Sequence, residues 1–458
     1  MLTSINPTTA AVIQTYPSQT LPEVLASVEK AHTAFDSWRK MNFAERGACF
    51  QRAAVLLRER VEQFAHLMAI EMGKPLAQGR GETNKCAAQC EYFAQHAEAF
   101  LAPEEIRTEA SRSYVAYLPL GVIYAIMPWN FPLWQVFRLA VPTLMAGNTL
   151  VLKHAPNVTG CAQAIAQVFA DAGFPSGVYE PLYISAAETD AFSTAVINHP
   201  AVQGVTLTGS GTAGRAIASK AGAALKKVVL ELGGSDPYIV LADADLQAAA
   251  ASCTSGRMLN SGQVCIAAKR YVVVDEVYEE FVERVIALYQ NQVLGDPLNP
   301  TTTLGPLARP DLRDQLHRQV QDSLAKGATL LLGGEIPAGE GAFYPPTLLA
   351  GVQAGMPAFD EELFGPVAAL VRVKDTETAI QVANNTSFGL GAAIFTRDVA
   401  EGERIAREEL SAGACFVNDF VKSDSRLPLG GIKQSGFGRE IGPHGIREWT
   451  NVKTVVVK

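Results

Sequence analysis

At 458 residues the chain exceeds what one hydrophobic core organises, so two or three domains are expected. Apolar residues make up 48% and charged residues 18%, a globular balance, and a net charge of −8 with no Lys/Arg block excludes nucleic acid as the main partner. No apolar run is long enough for a membrane span, and Met1-Leu-Thr-Ser-Ile-Asn-Pro lacks the charged start and apolar core of a secretion signal; a cytoplasmic protein is expected, with no membrane partner.

Residues 21 to 101 read as mostly helical. Apolar residues recur at three- and four-residue steps from Leu21 to Lys40 and from Ala44 to Glu71, and again from Ala87 to Leu101. Gly73-Lys-Pro-Leu and Gly79-Arg-Gly punctuate the pattern. The texture then changes to strand: Ser113 to Leu118, and Gly121 to Ile126, around Pro119-Leu-Gly. From there strands (Thr149 to Lys153, Val202 to Leu207, Lys227 to Leu230) alternate with helices (Gly160 to Gly173, Thr212 to Ala223), which predicts a doubly wound parallel α/β sheet.

A second α/β series follows from about Asp236 to Ile441. Its elements are Tyr238 to Leu241, Leu246 to Leu259, Tyr271 to Val274, Val277 to Gln290, Ala392 to Thr396 and Ala414 to Asn418. Thr450 to Val457 forms a β-type tail. Left unpaired it is an aggregation hazard, so docking on a neighbouring sheet, that of another subunit, is expected.

The seven cysteines (49, 86, 90, 161, 253, 265 and 415) are scattered and odd in number, as for reduced thiols. Cys86, Cys90 and His96 lack the paired short spacings of a zinc site, so no metal is expected. Cys265 differs in its setting. It follows the turn-forming Ser261-Gly-Gln263, between an apolar helix and a strand, with Lys269 four residues on. It is either an inert buried thiol or a nucleophile held between rigid elements.

Glu231, ending a β-run just before Gly233-Gly234, admits two functional readings. Gly209-Ser-Gly211-Thr-Ala-Gly214 is a literal G-x-G-x-x-G lying upstream of it, so Glu231 is either the ribose ligand of a dinucleotide fingerprint or a general base beside the thiol. Asn130, before Phe131-Pro132, is either a helix N-cap or an amide donor to a developing oxyanion.

Pro128-Trp-Asn-Phe-Pro, Leu230-Glu-Leu-Gly-Gly, Gly262-Gln-Val-Cys, Glu361-Glu-Leu-Phe-Gly-Pro and Leu429-Gly-Gly-Ile-Lys-Gln-Ser-Gly-Phe-Gly-Arg-Glu occur in this order over nearly the whole chain. Together they resemble the aldehyde dehydrogenase superfamily. The resemblance implies a Rossmann-like coenzyme domain (1–106 and 124–233), a second α/β catalytic domain (234–441) and a small β oligomerisation element (107–123 and 442–458), in a homodimer or homotetramer. It implies that Cys265 attacks an aldehyde, that the Asn130 amide and the Cys265 backbone N–H hold the oxyanion, and that Glu231 activates the water that hydrolyses the thioester. Gly209 and Ser210 then face the pyrophosphate, Lys153 the adenosine ribose, and Glu362 and Phe364 the nicotinamide ribose, with Trp129 also in the coenzyme site.

Many NAD-preferring members carry a glutamate where this chain has Pro156. NADP is therefore expected to be tolerated alongside NAD, with His154 assisting. Arg138 shares a helix face with Trp134 and needs an anionic partner, either a protein carboxylate or one on the substrate. The wording resembles the bacterial succinate-semialdehyde branch, which implies a substrate carboxylate gripped by Arg138 and by Ser423 of the late loop, beside Trp134. Two departures stand out. Some relatives place an arginine where this chain has Met258-Leu259-Asn260, and some a second cysteine where it has Ala267, so no disulfide switch at Cys265 is expected. Competing readings are a broader small- or medium-chain aldehyde dehydrogenase, a coenzyme A-acylating relative, which Glu231 opposes, and a catalytically silent homologue.

Overall fold

The computed structural model describes residues 1–458. Two large sheets dominate. The first has six strands in the order Gly436–Phe437, Lys227–Glu231, Val202–Thr208, Val122–Met127, Thr149–His154, Tyr179–Leu182, all parallel except the first. The second has seven, in the order Thr329–Leu332, Thr347–Ala350, Val367–Val373, Ala268–Val274, Asp236–Val240, Gly391–Phe395, Ala414–Val417, parallel except at its Thr329 edge.

Alternation of side chains along each strand builds a core on both faces of each sheet. Ile123, Ala125, Leu150 and Leu152 pack on one side of the first sheet, under the helices Phe43–Glu59, Leu76–Phe100 and Trp134–Met145. Their strand neighbours Val122, Tyr124 and Val151 pack on the other, with the helices Leu21–Trp38 and Gly211–Ala223. In the second sheet Tyr238, Tyr271 and Phe395 belong to one cluster and Ile239, Val272 and Ile394 to the opposite one. Both sheets are therefore covered on both faces, the α/β architecture expected.

Several local expectations are corrected. The helix expected from Ala87 starts at Leu76 and runs through Gly79 and Gly81. Gly79 is there for packing: its missing side chain lets the helix lie against the Ala65 backbone of Val61–Met72. The long helix expected from Ala44 to Glu71 is two, Phe43–Glu59 and Val61–Met72, which meet at Arg60 outside helical geometry. The first is started by a capping box, with the Asn42 side chain accepting from the Glu45 N–H at 2.9 Å and Glu45 accepting from the Asn42 N–H at 2.8 Å.

Within the chain, the tail strand Thr450–Val457 pairs antiparallel with Arg112–Pro119. Glu104–Glu105 lies on the far side of Arg112–Pro119, so the outer edge of the tail strand stays open, with Val452 and Val456 60% and 58% exposed. No helix is long and apolar enough to cross a membrane.

The first sheet presents its carboxyl ends toward the second. Asn130 follows Val122–Met127, Gly209 follows Val202–Thr208, and Glu231 closes Lys227–Glu231. This is the edge at which open parallel sheets bind ligands. Gly233-Gly234 then leads into Asp236–Val240 of the second sheet. A methyl on Gly233 would meet the Glu362 carboxylate, so glycine at the crossing lets that side chain come close.

Candidate active site

Cys265 lies at the meeting point of two cavities. One is a groove of about 720 Å³ whose lining includes Trp129, Asn130, Gly209, Ser210, Glu231, Glu362 and Phe364. The other is a funnel of about 240 Å³ between Lys85, Phe131, Trp134, Arg138, Ile266, Phe420 and Ser423. Cys265 and Gln135 line both.

The turn before the thiol is held from several directions. Asn260, Ser261 and Gly262 all have positive φ (54°, 54° and 73°), a run that only surrounding contacts can stabilise. Those contacts are present. The Asn260 N–H donates to Gln78 at 2.7 Å and its side-chain amide to the Asn130 carbonyl at 2.8 Å. Ser261 Oγ donates to the Gly305 carbonyl at 2.9 Å, and Gln263 Oε1 accepts from the Ala308 N–H at 2.8 Å. Lys269 donates to the Cys265 carbonyl at 2.5 Å and also faces Glu362 at 3.4 Å. Arg257, fully buried, donates to the carbonyls of Gly262 and Leu363. Burial pushes the Cys265 thiol up to about 11, against the opposing fields of Arg138 and Lys269.

Asn130 is not the N-cap of the following helix. That helix begins at Trp134, and its first amides, of Leu133 and Trp134, both donate at 2.9 Å to a buried carboxylate oxygen of Glu82. Glu82 pairs in turn with Lys74, which donates to the Asn130 carbonyl at 3.0 Å and sits 3.8 Å from the Phe131 ring centroid. The Asn130 side chain is thereby left for the nucleophile turn: its amide donates to the Gln263 carbonyl at 3.0 Å and has a second N–H free.

Glu231 is 3% exposed, and its Oε1 has no partner in the protein. Burial, and then the Glu440 carboxylate, raise its pKa well above the ordinary range, while Arg138 and Arg439 oppose. Gly209 and Ser210 stand at the start of the thirteen-residue helix Gly211–Ala223, and Ser210 caps it by accepting from the Ala213 N–H at 3.3 Å. The backbone amides of such a helix start suit a pyrophosphate. Phe364 meets Trp129 edge-on at 5.8 Å across the groove, and Glu362 accepts from the Gly234 N–H at 3.1 Å. These residues fit a bound dinucleotide.

Lys153, His154 and Pro156 lie at the carboxyl end of the neighbouring strand, outside the lining of the groove. Burial lowers the Lys153 ammonium to about 8. The assistance to a 2′-phosphate expected of His154 has no free donor behind it, because both ring nitrogens are engaged within the protein. The His154 Nε2 meets the Pro132 carbonyl at 2.8 Å and its Nδ1 accepts from the Ala155 N–H at 2.8 Å, which leaves no N–H for a phosphate; burial lowers its pKa to about 4. Arg215, exposed on the helix Gly211–Ala223, lines the groove and was not anticipated.

The anionic partner that Arg138 requires is within the protein. Its Nε pairs with Glu440, both side chains almost fully buried, and its Nη2 donates to Thr208 Oγ1 at 3.2 Å. Glu440 lies in the Gly-Arg-Glu end of the last motif, where nothing local signalled a pairing with a helix some 300 residues earlier. Lys85 was likewise missed. It reaches the funnel from the helix Leu76–Phe100, donating to Ser423 Oγ at 2.6 Å and lying 4.1 Å from the Trp134 ring centroid. The signal available was its spacing from Glu82, three residues back on the same helix face.

A pinned thiol between a dinucleotide-shaped groove and a small apolar funnel, beside a buried carboxylate and an amide donor, defines a thiol-dependent oxidoreductase site. The chain belongs to the aldehyde dehydrogenase family, whose pattern it matches over residues 1–455. It is 48% identical over 452 residues to the succinate semialdehyde dehydrogenase (NAD(P)+) Sad of Escherichia coli (strain K12), covering 99% of this chain and 97% of that one. It is 47% identical to the probable succinate-semialdehyde dehydrogenase (NADP(+)) of Synechocystis sp. (strain ATCC 27184 / PCC 6803 / Kazusa), covering 99% of both. Among solved structures, the succinic semialdehyde dehydrogenase from Streptococcus pyogenes in complex with NADP+ superposes with a TM-score of 0.96 at 35% identity, covering 100% of both chains.

Proposed function

We propose that the protein oxidises an aldehyde to a carboxylic acid with NAD(P)+, and that the aldehyde is succinate semialdehyde. The observation that carries this reading is the position of Cys265, open to a polar groove on one side and to a small funnel with cationic residues on the other. The thiolate of Cys265 adds to the aldehyde carbon, and the second N–H of the Asn130 amide, with the Cys265 backbone N–H, holds the oxyanion. A nicotinamide coenzyme in the groove supplies the hydride acceptor. Glu231, once deprotonated, takes a proton from the water that attacks the Cys265 thioester, releasing the acid and restoring the thiol.

Trp129, Gly209, Ser210, Glu362 and Phe364 are assigned to coenzyme binding, with Lys153 at the adenosine ribose. Pro156 puts no carboxylate against a 2′-phosphate, so NADP is accepted as well as NAD. Trp134 and Ser423 are assigned to the aldehyde. The coenzyme domain is taken as residues 1–106 and 124–233, the catalytic domain as 234–441, and the oligomerisation element as 107–123 and 442–458. The open edge of Thr450–Val457 supports a homodimer or homotetramer, which light scattering would distinguish. The seven free thiols accord with a cytoplasmic enzyme.

Initial rates with succinate semialdehyde and with butanal, each with NAD and NADP, test the reading. A kcat/KM at least about tenfold higher for the semialdehyde is expected, the scale of one charge-assisted hydrogen bond. The apolar funnel walls Phe131, Ile266 and Phe420 favour the second reading, a broader alkyl-aldehyde dehydrogenase, which equal rates would support.

A further inference from the structure

Lys85 carries a charge that the chemistry at Cys265 does not use. Its ammonium donates to Ser423 Oγ at 2.6 Å and rests over the Trp134 ring at 4.1 Å, and all three residues line the funnel that ends at Cys265. The carboxylates whose fields reach it are already engaged. Glu82 is paired with Lys74 and Asp424 with Arg426 at 2.6 Å. Arg138 and Lys422, the other cations lining the funnel, are paired with Glu440 and Asp419. A largely desolvated ammonium beside apolar walls is destabilised until an anion joins it. Burial accordingly lowers its pKa to about 8.

Ser423 adds a second donor. Its oxygen accepts from Lys85, so its own hydrogen is free, and the ammonium retains further N–H groups. The Trp134 face holds the cation in place in the absence of a counter-ion. Charge, hydroxyl and aromatic face are thus gathered on one wall of a cavity whose other end carries the nucleophile.

We infer that Lys85, positioned by Ser423 and Trp134, is the cation that receives the far carboxylate of a short oxo acid, and that Lys85 rather than Arg138 sets the preference for a charged aldehyde. The inference rests on the funnel being the aldehyde site. Arg138 is left to hold Glu440 beside Glu231, a structural task within the protein.

The test compares the parent enzyme with Lys85→Met, Lys85→Arg and Arg138→Gln, each checked for folding by thermal unfolding. Two ratios are measured. One is kcat/KM for succinate semialdehyde over that for butanal. The other needs no turnover: the rate at which iodoacetate alkylates Cys265 over the rate with neutral iodoacetamide, followed on the Cys265 peptide by mass spectrometry. Lys85→Met should lower both ratios by roughly tenfold to a hundredfold, through KM in the kinetic one, and Lys85→Arg should restore most of each. If the parent prefers the semialdehyde and Lys85→Met keeps both ratios, Lys85 is not the anchor, although the substrate reading stands. A fall of both ratios in Arg138→Gln but not in Lys85→Met likewise overturns the assignment. If the parent shows no preference for the semialdehyde, the substrate reading itself fails. The alkylation ratio then decides alone whether Lys85 draws anions to the thiol.

Discussion

The groove and the funnel meet at one sulfur yet are built differently. The groove gathers the carboxyl ends of parallel strands and the glycine-rich turns after them, so its parts come from short motifs in which neighbours in sequence are neighbours in space. The funnel is walled by side chains from the helices Leu76–Phe100, Trp134–Met145 and Leu246–Met258, the turn around Cys265, and the loop 420–429, segments far apart in sequence. Chemistry common to a family can reside in strand ends and turns, which the sheet fixes. Substrate choice resides in side chains that only tertiary packing brings together.

Breaking the junction itself should have the largest effect. Cys265→Ala should lower kcat by at least about 10⁴-fold on every aldehyde, measured by NAD(P)H formation, because no other thiol lines either cavity. Glu231→Gln separates the two halves of the reaction: a burst of about one NAD(P)H per site, then a steady rate reduced by roughly 10² to 10⁴. In the parent, burial and Glu440 hold Glu231 protonated above the usual carboxylate range, and only the deprotonated form accepts a proton from water. The steady rate should therefore rise from neutral toward alkaline pH, and Glu231→Gln should flatten that limb. A parent rate that falls with pH, with no burst in the variant, would remove Glu231 as the base.

Smaller effects probe the support of the groove. Lys74→Met leaves the buried Glu82 carboxylate without its ion pair and should destabilise the fold by about 3–5 kcal/mol in urea denaturation. Asn130→Ala should lower kcat by about 10²- to 10³-fold with little change in urea stability, since its side chain makes one hydrogen bond to the protein. Smallest of all, Pro156→Glu should raise the KM for NADP about tenfold while that for NAD moves less, through repulsion of a 2′-phosphate. Equal shifts for both coenzymes would mean that position 156 does not face the adenosine ribose.

Periodicity was enough to locate most strands of the first sheet. Buried parallel strands are short apolar runs bounded by turn residues, as in Thr149–His154 and Val202–Thr208. Tyr179–Leu182 was not legible, because Tyr-Glu-Pro-Leu carries too little apolar pattern and is a strand only by pairing with Thr149–His154. The helix start at Leu76 was hidden by Gly79 and Gly81, whose helix-breaking tendency is outweighed by packing against Ala65. At the site, Cys265, Asn130, Glu231 and the glycines stood out by motif. The Lys74–Glu82 pair that frames Asn130 did not, since Lys74 reads only as part of the Gly73-Lys-Pro-Leu break, Glu82 lies outside every motif, and both act through contacts some fifty residues away in sequence.

By itself, the sequence determined the α/β class, the nucleophile candidate and the residues around it. Those properties depend on local patterns of burial, turn formation and residue type. Tertiary structure alone decided which charges are free. Arg138 and Lys85 are both cations on helices facing the same cavity, and nothing in their neighbourhoods ranks them. Glu440 neutralises one from some 300 residues away, while the carboxylates near the other are held by Lys74 and Arg426. A charge in a low-dielectric site is governed by its nearest counter-ion, and that distance is set by the fold.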